Sequence, residues 1–290
     1  MHLTQQRSFL FVPATRPERI TKALASEADR VIVDLEDAVA PHDKDKARSL
    51  LHDYLASTPK GEVLVRVNSL PAEIEKDLVL CEEFPSVAGI MLPKAETCRQ
   101  IERVAEVGKP IWPIIESARG LVALETLASS RGIAQLTFGA LDLMTDLNLE
   151  PNTPGAAAIL DQCRYRLVVC SRSALLPPPI ESVVPDIHDT EQVERVARRA
   201  VEMGFSGMLS IHPNQIEPIH QAFTPSDEAL AWAGRVLDIA ETVDGAFQLD
   251  GQMVDEPVIN RAKSLLARAG RGVMGEDAST VSTEALRIGG

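Results

Sequence analysis

Short apolar runs recur along the chain, each ending on a polar residue and each followed by a helical pattern. Ser8-Phe9-Leu10-Phe11-Val12-Pro13 reads as a first strand, and Pro17 opens a helix reaching about Ala28. Val31-Ile32-Val33-Asp34-Leu35 is a second strand, and Asp43 caps a charged helix to about Leu55. Strands at Val63–Asn68 and Gly89–Lys94 follow, with helices over Ala72–Glu83 and Glu96–Val107. Ile111–Ile115 and Gln135–Gly139 are the fifth and sixth strands, and Pro154 to Leu175 is a long helix. Pro179–Val183 is a weak seventh strand, Asp189–Met203 a periodic helix, and Gly207–Pro213 the eighth strand.

Eight strands alternating with helices predict a (β/α)₈ TIM barrel, a fold of roughly 250 residues, with a doubly wound open sheet as the alternative. Val, Ile and Leu fill the strand interiors, whereas Asp34, Glu36, Asp37, Arg66, Lys94, Glu116, Asp142, Glu181 and His212 fall at strand ends. That distribution matches an active site at the C-terminal face of a barrel. The expected domains are a barrel over residues 1–221, a C-terminal helical lid or oligomerisation arm over 222–269, and a flexible tail over 270–290. The arm contains helices at Ser226–Thr242 and about Val258–Ala269, joined by a loop over 245–257.

Composition narrows the class. Hydrophobic content of 45% and charged content of 24% are those of a soluble globular chain with ample core. The net charge of -13 disfavours partnership with nucleic acid or an anionic membrane. Cys81, Cys98, Cys163 and Cys170 show no CxxC spacing and read as free thiols of a reducing compartment. The first seven residues lack a signal-peptide core, and no apolar run approaches the roughly 18 residues of a membrane span. The expected location is cytoplasmic.

Candidate chemistry centres on Glu116 and Asp142, which stand at matching positions one βα unit apart. Two carboxylates on neighbouring strand ends suit Mg²⁺, which takes one or two protein carboxylates and keeps water or substrate oxygens elsewhere. Each residue alone is equally readable as a surface Glu or an N-capping Asp. Asp34-Leu35-Glu36-Asp37 places three acids at one strand end, where they hold metal-bound waters, pair with Arg66, or are simply solvated. Arg66, flanked by Val65 and Val67, is either an ion-pair partner or a planar fork for a substrate carboxylate or carbonyl. Arg16, Arg19 and Lys22 form a solvated helix face or a phosphate-binding patch. His212 reads as a structural hydrogen-bonder more readily than as a base or ligand. Hydride-transfer and nucleotide-hydrolysis motifs are absent from the sequence.

Several ordered segments together carry a family resemblance. They are Arg7–Pro13, Val31–Val39, Arg66-Val67-Asn68, Leu92–Glu96, Ile114–Ser117, and Phe138-Gly139 with Asp142-Leu143. Gly204-Phe205 with Gly207, Ile211-His212-Pro213, and Asp250-Gly251 with Met253 and Asp255 complete the set. The chain resembles the citrate lyase beta-subunit family of Mg²⁺-dependent lyases over essentially its whole length to about residue 268.

The resemblance implies a (β/α)₈ barrel assembled as a homotrimer or higher homo-oligomer. It implies cleavage of a 3-hydroxyacyl thioester, on coenzyme A or an acyl carrier protein, to an acetyl thioester and a 2-oxo acid. By position, Glu116 and Asp142 match metal ligands, Arg66 the substrate arginine, and Glu36 and Asp37 the surrounding acids. Arg16, Arg19, Lys22 and Lys94 become candidate contacts to substrate or coenzyme A. Asp255, with Asp250 second, matches an acid supplied by a neighbouring subunit. Ala14, Glu181-Ser182 and Met208 depart from the family's usual residues at positions expected near the active face. Two other classes remain open: a class II aldolase acting on free pyruvate and an aldehyde, and a non-catalytic paralogue or subunit.

Overall fold

Alternation of inward and outward residues along short strands organises the molecule. In the computed structural model, which describes residues 6–57, 61–243 and 245–270, eight parallel strands close into a barrel in sequence order. The strands are β1 (Ser8–Pro13), β2 (Arg30–Asp34), β3 (Val63–Arg66), β4 (Val87–Leu92), β5 (Ile111–Ile115), β6 (Thr137–Phe138), β7 (Ile180–Glu181) and β8 (Gly207–Ser210). The helices between and after them are α1 (Pro17–Leu24), α2 (Lys44–Ser57), α3 (Pro71–Glu83), α4 (Cys98–Ala105), α5 (Ala118–Ala128), α6 (Ala140–Asp146), α7 (Pro154–Ser173), α8 (Thr190–Glu202) and α9 (Ile216–Phe223). The expected TIM barrel is therefore present, and the open-sheet alternative is not.

Phe9, Ile32, Leu64, Met91, Trp112, Ile114, Ile180 and Leu209 fill the barrel interior. Their immediate neighbours, such as Leu10, Val31, Val33, Val65 and Ile90, face outward into the layer beneath the helices. This period of two is what a strand with both faces buried requires. Trp112 fits inside because Gly89 faces it: a Cβ there would come within 2.2 Å of the indole.

Residues Gln6–Phe223 form one compact unit, and the chain from Thr224 belongs to another. Within the second, α10 (Asp227–Ala240) packs on α11 (Glu256–Arg268) around Ala233, Val236, Val254 and Ala262. The segment expected as a loop over 245–257 instead contains a hairpin of β9 (Phe247–Leu249) and β10 (Gln252–Val254). Its two-residue turn is Asp250-Gly251, with φ of 51° and 79°. Paired positive φ values are those of the type I′ turn favoured by Asp-Gly. Helices α6 and α9 are additional to the expected elements. Beyond Gly270, the expected tail lies outside the described residues.

Candidate active site at the barrel mouth

Three strands deliver their last inward residue to one place. Asp34 closes β2, Arg66 closes β3, and Glu116 follows β5 directly. Each stands two residues beyond an inward core residue, Ile32, Leu64 and Ile114 respectively. Strand alternation therefore turns all three toward the axis at the C-terminal mouth.

Asp34 and Arg66 are register partners on adjacent strands. Asp34, 1% exposed, accepts from Arg66 Nε at 2.7 Å through Oδ1 and from Nη2 at 2.6 Å through Oδ2. The same carboxylate accepts the backbone N–H groups of Glu36 and Ala38 at 2.9 and 3.0 Å, which orders the acidic loop. Phe11 lies under the guanidinium, 4.6 Å from ring centroid to Cζ. Burial disfavours the Arg66 charge, but the hydrogen bonds and charge of Asp34, aided by Glu36 and Asp37, more than reverse this and raise its pKa. Arg66 thus pairs with an acid through its Nε–Nη2 edge and keeps its Nη1–Nη2 edge outside that pair.

Glu36 is buried, as is Asp34, whereas Asp37 is exposed. Glu36 Oε1 accepts from Lys94 Nζ at 2.9 Å, and Oε2, with no hydrogen-bond partner among the described residues, lies 3.5 Å from Arg66 Nη1. Burial lifts the Glu36 pKa despite Arg66 and Lys94. Lys44 Nζ holds the loop from outside by donating to the carbonyls of Leu35 and Glu36. Asp37 stands 4.0 Å from Lys94 Nζ.

Lys94 has a second role that its side chain does not reveal. Its φ of 49° puts it in the left-handed region, which non-glycine residues seldom enter. From there its backbone N–H donates to Glu116 Oε1 at 2.7 Å. Glu116 is 5% exposed. Burial pushes its pKa up to about 8; the Lys94 amide opposes this, and the charges of Asp142 and Glu36 add to it.

Asp142 lies in the first turn of α6, exposed to solvent, one turn past the end of β6. Two contacts fix that helix: Ser182 Oγ accepts the Ala140 N–H at 2.9 Å, and Asp146 accepts the Ala118 N–H at 2.7 Å. Ser182 therefore acts at the site, on the helix that carries Asp142. Its neighbour Glu181 does not: it is fully buried on the outward side of β7, paired with Arg164 at 2.7 and 3.2 Å. Ala14 and Met208 likewise pack into the layer between barrel and helices. The expectation that all these unusual positions border the active face is thus corrected, because odd and even strand positions face opposite layers.

The remaining candidates are more dispersed. Arg16, Arg19 and Lys22 are exposed. Arg16 sits on the loop after β1, at the mouth edge, while Lys22 is about 9 Å farther along α1 at the helical rise per residue. His212 caps a short 3₁₀ turn, its Nδ1 accepting the Asn214 N–H at 3.2 Å, which is a structural role. In the C-terminal unit, Asp255 caps α11 through the Val258 N–H at 3.4 Å, and Asp250 pairs with Arg235 at 2.6 Å.

Among the described residues no group of three His, Cys, Asp or Glu side chains is placed to hold a metal. A thiolate or imidazole cage of the zinc type is thus not what this mouth offers. A buried carboxylate whose negative charge is destabilised by burial and a nearby second acid do fit a hard divalent cation that keeps most of its positions for water and substrate. Among the described residues no helix is long and apolar enough to cross a membrane.

Residues 7–213 match the HpcH/HpaI aldolase/citrate lyase family. A citrate lyase subunit beta-like protein of Mycobacterium tuberculosis is 37% identical over 267 residues, covering 90% of this chain and 95% of that protein. A protein named (3S)-malyl-CoA thioesterase from Cereibacter sphaeroides is 28% identical over 273 residues, covering 91% and 94%. The crystal structure of CitE from M. tuberculosis, in complex with magnesium, acetoacetate and coenzyme A, superposes with a TM-score of 0.81 at 34% identity, covering 93% of this chain and all of that one. The chain belongs to the HpcH/HpaI aldolase/citrate lyase family, as a carbon–carbon lyase of the citrate lyase beta-subunit-like kind.

Proposed function

We propose that this enzyme cleaves a 3-hydroxyacyl coenzyme A thioester of the citryl, malyl or citramalyl type to acetyl-CoA and a 2-oxo acid, with Mg²⁺ held by Glu116 and Asp142. The observation that carries the proposal is the buried Glu116 carboxylate, its pKa pushed up to about 8, beside Asp142 at the mouth of the barrel. The magnesium, acetoacetate and coenzyme A bound to the M. tuberculosis relative support the same reading.

When bound, Mg²⁺ would supply Lewis acidity to the hydroxyl and carboxylate oxygens of the substrate. The chain's own groups do the rest. The 3-hydroxyl passes its proton to solvent water at the mouth as the carbon–carbon bond breaks, and the electron pair of that bond moves into the thioester as an enolate. Arg66, at the end of β3, donates through its Nη1–Nη2 end to the oxygen on which that charge develops. Asp255, delivered by the C-terminal unit of a neighbouring chain, returns a proton to the acetyl carbon. Glu36 and Asp37 order the water around the cation, and Lys94 fixes Glu116 through its amide. Arg16, with Arg19 and Lys22 behind it, supplies positive charge for the phosphates of coenzyme A. Residues 222–269 serve as a lid and subunit-contact arm of a homotrimer or higher homo-oligomer.

The test is a panel of citryl-, malyl- and citramalyl-CoA assayed for acetyl-CoA release with and without Mg²⁺. Release of acetyl-CoA from one member, lost in Glu116→Gln and Asp142→Asn proteins that remain folded, is the expected result. Undiminished Mg²⁺ affinity in both variants removes the metal assignment.

A further inference from the structure

The Asp34–Arg66 pair bears on how the arginine meets its substrate. A guanidinium can present two parallel N–H groups to a carboxylate along either of two edges, Nε–Nη2 or Nη1–Nη2. Here the Nε–Nη2 edge is closed, because both donors end on the two oxygens of Asp34 at 2.7 and 2.6 Å. The Nη1–Nη2 edge is the one left open, with Glu36 Oε2 at 3.5 Å from Nη1 on one side. The pair is rigid for three reasons. The two residues are backbone register partners, Asp34 is further pinned by the N–H groups of Glu36 and Ala38, and Phe11 stacks beneath the guanidinium.

We infer that Asp34 is a positioning residue: by closing the Nε–Nη2 edge it leaves Arg66 only its Nη1–Nη2 end for the substrate and holds that end in a fixed direction. The inference rests on the proposed lyase reading, in which Arg66 donates to the thioester oxygen as its charge develops. The preorganisation matters because a donor that must reorient during the reaction stabilises developing charge less than one already aimed.

The experiment uses the full-length chain with Mg²⁺ and the thioester found active. Asp34→Asn removes the charge and one acceptor while keeping the side-chain size. The expected result is a fall in kcat of about 30-fold, with KM and Mg²⁺ affinity within about threefold of wild type, as for loss of aim at an oxyanion donor. On an Arg66→Lys background the same substitution should cost less than about threefold more, since a residue acting through another cannot act once that other is gone. An equal loss in both backgrounds, or an unchanged kcat, overturns the inference while leaving the lyase reading intact. A predominant rise in KM overturns the aiming of Arg66 at developing charge, since it is the mark of a lost ground-state clamp.

A second measurement needs no activity. In ¹⁵N-arginine-labelled protein the Arg66 Nε–H, identified by its loss in Arg66→Lys, should be protected from solvent exchange, and Asp34→Asn should abolish the protection. If no thioester is cleaved, the functional reading falls and this signal alone decides: fast exchange in wild type overturns the positioning role.

Discussion

Glu116 lies directly over Gly139, so closely that a Cβ at position 139 would stand 2.5 Å from the Glu116 Cβ and 2.6 Å from its Oε2. The Gly139 N–H also donates to the Ile115 carbonyl at 3.0 Å, which holds the two strand ends at this spacing. The φ of Gly139 is -114°, open to any residue, so close approach rather than backbone freedom requires glycine here.

Gly139→Ala should therefore displace the Glu116 carboxylate. Overpacking of this kind costs about 1–3 kcal/mol of stability. Mg²⁺ affinity should fall at least about tenfold, since a ligand moved by a fraction of an ångström no longer meets the near-ideal geometry magnesium demands. Calorimetric titration of the folded variant reads the effect, and an unchanged affinity would show that Glu116 is not a ligand in this position.

The raised Glu116 pKa gives a second prediction, whose sign follows from which state holds the proton. The ordinary Glu pKa is 4.5, whereas burial pushes that of the folded, metal-free Glu116 up to about 8. Between those values the folded state keeps a proton that the unfolded state has lost. The contribution of this group to metal-free stability is full below about 4.5 and is lost as the pH rises through 8. Mg²⁺ must displace that proton, so its affinity should climb about tenfold per pH unit up to about 8 and then level off. Calorimetry at pH 7 in buffers of different ionisation enthalpy should count close to one proton released per Mg²⁺, and close to none at pH 9. Proton release equal at the two pH values would contradict the assignment.

Much of this mouth was legible in the sequence, for a physical reason. Strand alternation is local, so Val65-Arg66-Val67 and Ile114-Ile115-Glu116 announce which residues face the axis. An ion pair between Arg66 and one of the acids at the end of β2 was among the expected readings, but which acid it takes was not legible. Asp34 and Arg66 are 32 residues apart, and only the β2–β3 register brings them together. The role of Lys94 is carried by its backbone in a left-handed conformation that no side-chain pattern encodes. Short β7 shows the opposite failure. Its acid Glu181 stands at a strand end, as a mouth residue does, yet parity turns it outward, because its neighbour Ile180 faces the interior. The 245–257 hairpin was foreshadowed by its Asp250-Gly251 turn, but its three-residue strands are too short to show alternation.

The outward pairing of Glu181 with Arg164 is itself testable. Glu181 is 0% exposed, and Arg164 stacks over Phe138 at 5.3 Å while also meeting Asp161 at 3.1 Å. Arg164→Met strands a buried carboxylate and should cost about 3–5 kcal/mol. The double variant Arg164→Met with Glu181→Gln should recover a large part of that loss, because no charge is then left unpaired. Denaturant midpoints of the two single variants and the double variant measure the interaction. Additive losses would mean the pair is not coupled as its geometry indicates.

Asp255 has one role in the fold and another proposed in the chemistry. Its carboxylate caps α11 through the Val258 N–H. Loss of such a cap costs about 1 kcal/mol. Serine supplies a comparable capping oxygen but no carboxylate, so Asp255→Ser separates helix stability from proton transfer. If Asp255 serves chemistry, Asp255→Ser keeps its thermal midpoint near wild type and loses at least about 100-fold in kcat, within the range for a general acid or base. If the residue only caps, Asp255→Ser stays active and Asp255→Ala is the weaker of the two in stability alone. Delivery from a neighbouring chain is read by refolding inactive Asp255→Ser together with inactive Glu116→Gln. Mixed oligomers then contain sites in which an intact Glu116 meets an intact Asp255 from the adjacent chain, and part of the activity returns. Were each site built from a single chain, every site in every mixture would lack one of the two residues. Zero recovery with subunit exchange verified by mass would place Asp255 within its own chain's site, or outside the chemistry altogether if Asp255→Ser had proved active.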